Sequence, residues 1–287
     1  MFDIRYHIAS LVAVFLALTV GILLGSVIVD KGLLVDQQKA LVQSLEARHN
    51  DLQEKNQLLS KENAELKNFQ EAAFSAVNDR LKEKKVAIIM TGDAPDEDLN
   101  SMKATLDQAG ANTSAISAKT LMAKLKNAGT RKRLGTFFPE TGLSKEELLS
   151  RVLERIAVEI ATPSDGALLS ELSDLGMLDL KTTENLPAEQ VVFFGGTGVE
   201  KAAVDDVDVP LMRFLKELGV KVVGTEEATV KNSYIDSYSE EASTVDNVDQ
   251  IAGKIALVYV LMGQDGHYGL RPSAQDMLPS LSLPPQE

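Results

Sequence analysis

The alternation of apolar and polar positions divides the chain into stretches with different periods. From Ile8 to Val29 there is no charged residue. About twenty apolar residues at roughly 1.5 Å rise each span roughly 30 Å, the hydrocarbon thickness of a bilayer. The run therefore predicts a transmembrane helix, a signal anchor over residues 1–30. It is longer than the roughly 7–15 apolar residues of a cleaved signal peptide. No A-x-A site separates it from Asp30. Ala9, Ala13, Ala17, Gly21 and Gly25 recur at every fourth position. This spacing lines the small side chains along one helix face, where a second backbone can approach closely, and Gly21 and Gly25 form a GxxxG pair.

Over residues 31–84 the period becomes seven. Leu45, Leu52, Leu59 and Leu66 are spaced as d positions, which puts Val35, Val42, His49, Asn56, Asn63, Gln70 and Val77 at a. Leu at d with Asn at a resembles the seam of a parallel two-stranded coiled coil, in which a buried Asn gives up stability to set register. Glu62 at g can meet Lys67 at e of a partner. The alternative is a helix packed against its own head domain. Carried backwards, the heptad puts Ala17 at d and Gly21 at a, so one face would serve membrane contact and stalk seam. Gly32 is the expected place for a break. The expected self-pairing surface is Ala17, Gly21, Gly25, Val42, Leu45, Leu52, Asn56, Leu59, Asn63 and Leu66. Some fifty helical residues would reach roughly 75–80 Å and hold a head clear of the membrane.

Residues 85–271 read as an α/β head. Val86–Met90, Val191–Phe194 and Val220–Val223 are short apolar runs that predict buried strands, with a fainter strand at Thr113–Ile116. Helices are expected up to about Ala109, from the capping box Ser144-Lys145-Glu146-Glu147 to Ile160, from Asp165 to Leu175, from Pro210 to Leu218 and from Val248 to Met262. Strands alternating with helices predict a Rossmann-like parallel sheet covered on both faces, with a helical insertion in the middle. The Pro- and Ser-rich tail, 272–287, is expected to be loosely ordered.

Composition narrows the chemistry. The chain has 287 residues, a net charge of −13, three His and no Cys or Trp. The charge disfavours nucleic acid as a partner. The absence of Cys removes disulfides, thiolate metal sites and Cys nucleophiles. Arg131-Lys132-Arg133, the one dense basic run, reads as a solvated loop. Gly195-Gly196-Thr197-Gly198 follows a strand but matches neither GxGxxG nor a Walker A loop, and reads as a tight exit from a buried strand. Asp93, Asp96, Glu97 and Asp98 could bind a hard cation, but read as favouring the positive end of the helix that follows the first strand. Asp205, Asp206 and Asp208 read as a solvated loop. His267 is the only His in the head and no G-x-S-x-G elbow occurs, so no catalytic or cofactor-binding residue is assigned and no enzyme is expected. Beyond Met1 the methionines are scattered, without M-x-M or M-x-x-M pairs, and read as core filler. They mark no copper site, and a metal-ligating set stays unassigned.

Two signatures carry a resemblance. The start, Phe2-Asp3-Ile4-Arg5-Tyr6-His7-Ile8-Ala9-Ser10-Leu11 and on through Gly21-Ile22-Leu23-Leu24-Gly25-Ser26, is similar to the mycobacterial copper transport protein B (MctB) family. So are Asp246-Asn247-Val248-Asp249 before the final helix and Gly266-His267-Tyr268-Gly269 after it. The order of anchor, coiled coil, α/β head and tail also agrees. The resemblance implies an envelope protein of the cell membrane, single-pass, with the head outside the cytoplasm. By charge count alone Arg5 before the span and Lys31, Lys39 and Arg48 after it favour the head inside, but long domains translocate largely regardless of charge. The resemblance further implies copper transport or efflux, with copper as a transported or bound ion, or in another branch cell-wall remodelling at division through partner proteins. A channel gains no support from the residues, since Ile8–Val29 offers no ionisable lining. The residues themselves suggest a non-catalytic scaffold: a dimeric stalk, inserted in lipid, presenting a binding domain to other envelope proteins.

Overall fold

The computed structural model describes residues 4–30, 33–75, 77–92, 94–140, 142–196 and 204–280. Gly32, Asp93, Thr197, Gly198 and residues 281–287 lie outside them. The chain divides into two units, Met1–Lys67 and Asn68–Glu287.

The first unit holds helix α1 (Ile4–Asp30) and most of α2 (Leu33–Ser75). Ile4–Val27 of α1 is long and apolar enough to cross a membrane. The second unit is a mixed α/β head. Its elements run β1 (Lys85–Met90), α3 (Asp96–Gln108), β2 (Asn112–Ser117), α4 (Leu121–Leu125), α5 (Ala128–Leu134), α6 (Lys145–Ala161), α7 (Ala167–Asp174) and β3 (Asp179–Thr182). They continue β4 (Gln190–Phe194), α8 (Val209–Glu217), β5 (Lys221–Thr225), α9 (Ile235–Ser239), β6 (Ser243–Val245), α10 (Ile251–Leu261) and β7 (His267–Tyr268).

These strands form one seven-stranded sheet in the order β3-β2-β1-β4-β5-β6-β7. Every pairing is parallel except that of β2 with β3. Successive side chains of a strand point to opposite faces. Ala87 and Ile89 of β1 accordingly join Phe193 and Val222 under α4–α9, whereas Val86, Ile88 and Met90 join Val192, Phe194 and Val223 under α3 and α10. Burial on both faces explains why the inner strands read as unbroken apolar runs. It also explains α10, which is apolar apart from Lys254 and mostly buried. Phe74, Val77 and Leu81 pack into the second core. Val77, placed at an a position by the heptad, therefore belongs to the head.

The capping box is present: Ser144 Oγ accepts from Glu147 N at 3.2 Å, and the Glu147 carboxylate accepts from Ser144 N at 2.8 Å. These bonds hold the Glu147 carboxyl below its ordinary range, the backbone bond contributing most. Ser144→Ala removes one cap, and calorimetry should show a fall in Tm of about 3 °C.

Candidate functional site

Open α/β sheets bind ligands outside the carboxyl ends of their strands, where the strand order reverses. Here that place lies between the ends of β1 and β4, and this chain's own atoms fill it. A Cβ on Gly92 would lie 2.1 Å from the Gly196 carbonyl oxygen, and one on Gly195 would lie 2.2 Å from the Tyr238 hydroxyl. The Gly195 N–H is spent on the Thr225 carbonyl at 2.9 Å. The glycines serve close approach of backbone and ring, and the N–H of Gly195 faces no ligand.

Beneath this closure sits Asp208, fully buried, not in the solvated loop the sequence suggested. One carboxylate oxygen, Oδ2, accepts from Thr91 Oγ1 at 2.6 Å and from the Tyr238 hydroxyl. The other, Oδ1, has no hydrogen-bond partner among the described residues. Burial pushes the carboxyl up to about 7, with Asp205 adding to the rise and the two hydroxyls opposing it. The same burial, with Asp208 as neighbour, pushes the Tyr238 hydroxyl well above its ordinary value. The residue escaped the sequence reading because Asp205-Asp206-Val207-Asp208 looks solvated. The only signal was Pro210 two positions on, which marks a helix start.

Farther along the same sheet end, two buried carboxylates hold the segment that follows β7. Asp246 accepts from the Leu270 N–H at 2.6 Å and the Arg271 N–H at 3.0 Å. A Cβ on Gly269, where φ is 138°, would lie 2.1 Å from Asp246 Oδ1, so only glycine passes there. Glu226, also buried, accepts from Ser233 Oγ at 2.7 Å and Tyr234 N at 2.9 Å and pairs with the Arg271 guanidinium. Burial raises the Glu226 carboxyl, and those partners oppose it. The Asp246 N–H donates to the Tyr268 carbonyl at 3.1 Å, so the sequence's two C-terminal signatures are partners in space. Asn247 beside them is buried, and its side-chain amide has no partner among the described residues. Asp246→Ala strands two amides, and urea denaturation should show a loss of about 2 kcal/mol or more, with early proteolysis after residue 265.

Further hollows lie elsewhere in the head. A crevice of about 160 Å³ is lined by Asp98, Ser101, Met102, Phe194, Glu227, Val248 and Asp249. The Glu227 carboxyl is raised there by burial first and then by Asp98 and Asp249. A cleft of about 520 Å³ beside α6 and α7 includes Glu159, Leu169, Leu180 and Pro187. Its buried carboxylate, Glu159, is already engaged by Leu168 N, Leu169 N and Arg155 Nε at 3.1, 2.9 and 3.1 Å.

Arg131, Lys132 and Arg133 form the last turn of α5, with Arg131 bonded to the carbonyls of Leu125 and Lys126. This corrects the expected loop. Asp96 opens α3 and binds Lys181 at 2.9 Å and Lys119 at 3.2 Å, which hold its carboxyl below the ordinary range. His267 Nδ1 lies 3.0 Å from Thr244 Oγ1. Met90, Met102, Met177 and Met212 are buried in the two cores, far from forming a shared ligand set. Among the described residues no group of three or more His, Cys, Asp or Glu is arranged for a metal ion. Ala17, Gly21 and Gly25 lie on α1 with nothing packed on either glycine. Val42, Leu45, Leu52, Asn56, Leu59, Asn63 and Leu66 lie on α2 with exposed side chains, Leu52 at 60 %.

Residues 1–279 match a family model described as copper transport outer membrane protein, MctB. Among curated proteins, the copper transporter MctB of Mycobacterium bovis (strain ATCC BAA-935 / AF2122/97) is 25 % identical over 94 % of this chain and 96 % of its own. The copper transporter MctB of Mycobacterium tuberculosis (strain ATCC 25618 / H37Rv) matches to the same extent.

Proposed function

The chain belongs to the MctB family, and on that premise we propose that it is a membrane-anchored envelope protein with a role in copper transport or efflux. The observation that carries this reading is the family match over residues 1–279, from the apolar helix to the strap after β7. In it α1 is a single-pass anchor in lipid, the head is extracytoplasmic, and copper is cargo. The test is copper tolerance of a strain lacking the protein. Sensitivity restored to normal by the full chain supports the reading, and unchanged tolerance together with normal intracellular copper overturns it.

A second reading concerns mechanism. The crevice between β1 and β4 is filled by Thr91, Asp208, Tyr238 and the Gly92–Gly196 approach. That favours a non-catalytic scaffold without a bound cofactor, whose Rossmann-like head binds other envelope proteins, including those of cell-wall remodelling or division, and not nucleic acid. The exposed stripe of Leu45, Leu52, Leu59 and Leu66 supports a parallel dimer through a coiled coil on α2. Cu(I) calorimetry on the full chain in detergent separates the two. Tight stoichiometric binding favours direct handling of copper, and no binding favours the scaffold.

A further inference from the structure

The face of α2 that carries the leucines also carries one imidazole, that of His49 at an a position. A shallow groove of about 560 Å³ runs along it, lined by His49, Leu52, Gln53, Asn56, Gln57 and Ser60. We propose that the same segment of a second copy fills this groove in parallel register, and that protonation of the two facing His49 side chains releases the pairing. The inference rests on the dimer reading and adds its regulation.

In a parallel pair, an a side chain enters a hole formed by the second copy's preceding d and g residues, its own equivalent and the next d residue. For His49 these are Leu45, Arg48, His49 and Leu52 of the second copy. A neutral imidazole is tolerated in such a layer. An imidazolium must be desolvated there without an opposite charge inside the seam. The layer is already flanked by the Arg48 guanidinium of each helix. Glu46, one turn earlier at e, is the one opposing charge near it. Asp51 is engaged with Lys55 at 2.8 Å, on c and g positions. The next two a layers, Asn56 and Asn63, are polar and leave the seam little surplus stability. Charging one layer is then enough to open it.

The dimer disfavours the proton, so it binds fewer protons than the separated helices, and pairing weakens as pH falls. Histidine ordinarily titrates near pH 6.5, so the transition should fall between about pH 7.5 and about pH 5. Kd should rise on the order of 10-fold or more across that range.

The chain contains no Cys, so Ala47→Cys, at an exposed f position away from the groove, gives a single spin-label position. The full chain in non-ionic detergent is read by the fraction of short spin–spin distances at the two pH values, with and without His49→Leu. Pairing at neutral pH that is lost in acid, and kept in acid by His49→Leu, is the expected result. Pairing unaffected by acid overturns the inference and leaves the dimer standing. Loss in acid that His49→Leu does not prevent also overturns it. No pairing in either variant at either pH overturns the dimer reading itself.

Discussion

Asp208→Asn should make the head more stable at neutral and alkaline pH, and leave it nearly unchanged in mild acid. The carboxyl of Asp208 rises from 3.8 to about 7 on folding, because burial disfavours its charged form. Between those values the native state binds more protons than the unfolded chain, so stability falls as pH rises through that window. Below about pH 4 the group contributes its full share, and above about pH 7 that share is lost. A shift of about three units corresponds to about 4 kcal/mol, an upper figure for the gain at pH 8. The amide keeps one oxygen to accept from Thr91 and Tyr238 and removes the charge. Calorimetry of the full chain in detergent should show a Tm higher by about 10 °C at pH 8, and within about 3 °C of wild type at pH 4.5. Parallel pH profiles for the two proteins would mean that the carboxylate is hydrated or paired in solution.

If α2 pairs through its leucine stripe, as proposed above, Leu52→Asp with Leu59→Asp should leave the full chain monomeric without altering the head. Both leucines are exposed, at 60 % and 54 %, so the single chain loses no packing when they change. In a paired seam the double change introduces four carboxylates facing one another at d positions. Each buried charge costs several kcal/mol, more than a seam with Asn56 and Asn63 at a can offset. Sedimentation velocity at neutral pH should report a halved protein mass, while the head's unfolding transition stays within about 1 °C. A double variant that remains dimeric assigns the pairing to another face. A wild-type monomer removes the seam altogether.

Much of the architecture was readable in local periodicity. Val86–Met90 and Val191–Phe194 are buried on both faces, and such strands announce themselves by unbroken apolar runs. The capping box at Ser144 marked the start of α6 to the residue. β3, β6 and β7 were missed. They have four, three and two residues, and Asp179-Leu180-Lys181-Thr182 carries charge suited to an exposed edge. Such strands exist because a neighbour offers hydrogen bonds, and a window of sequence holds no trace of the neighbour. Asp246 was conspicuous through its signature, yet its part in holding Leu270 and Arg271 needed the fold.

By itself the sequence determined the apolar span and the inner strands, the first by the length of its uncharged run and the second by unbroken apolar runs that are buried on both faces. Which carboxylates end up dry was decided only by the tertiary structure. Asp208 is enclosed by Thr91 and Tyr238, residues 117 and 30 positions away along the chain. Desolvation depends on what the folded path brings alongside a group, and that path is a property of the whole head.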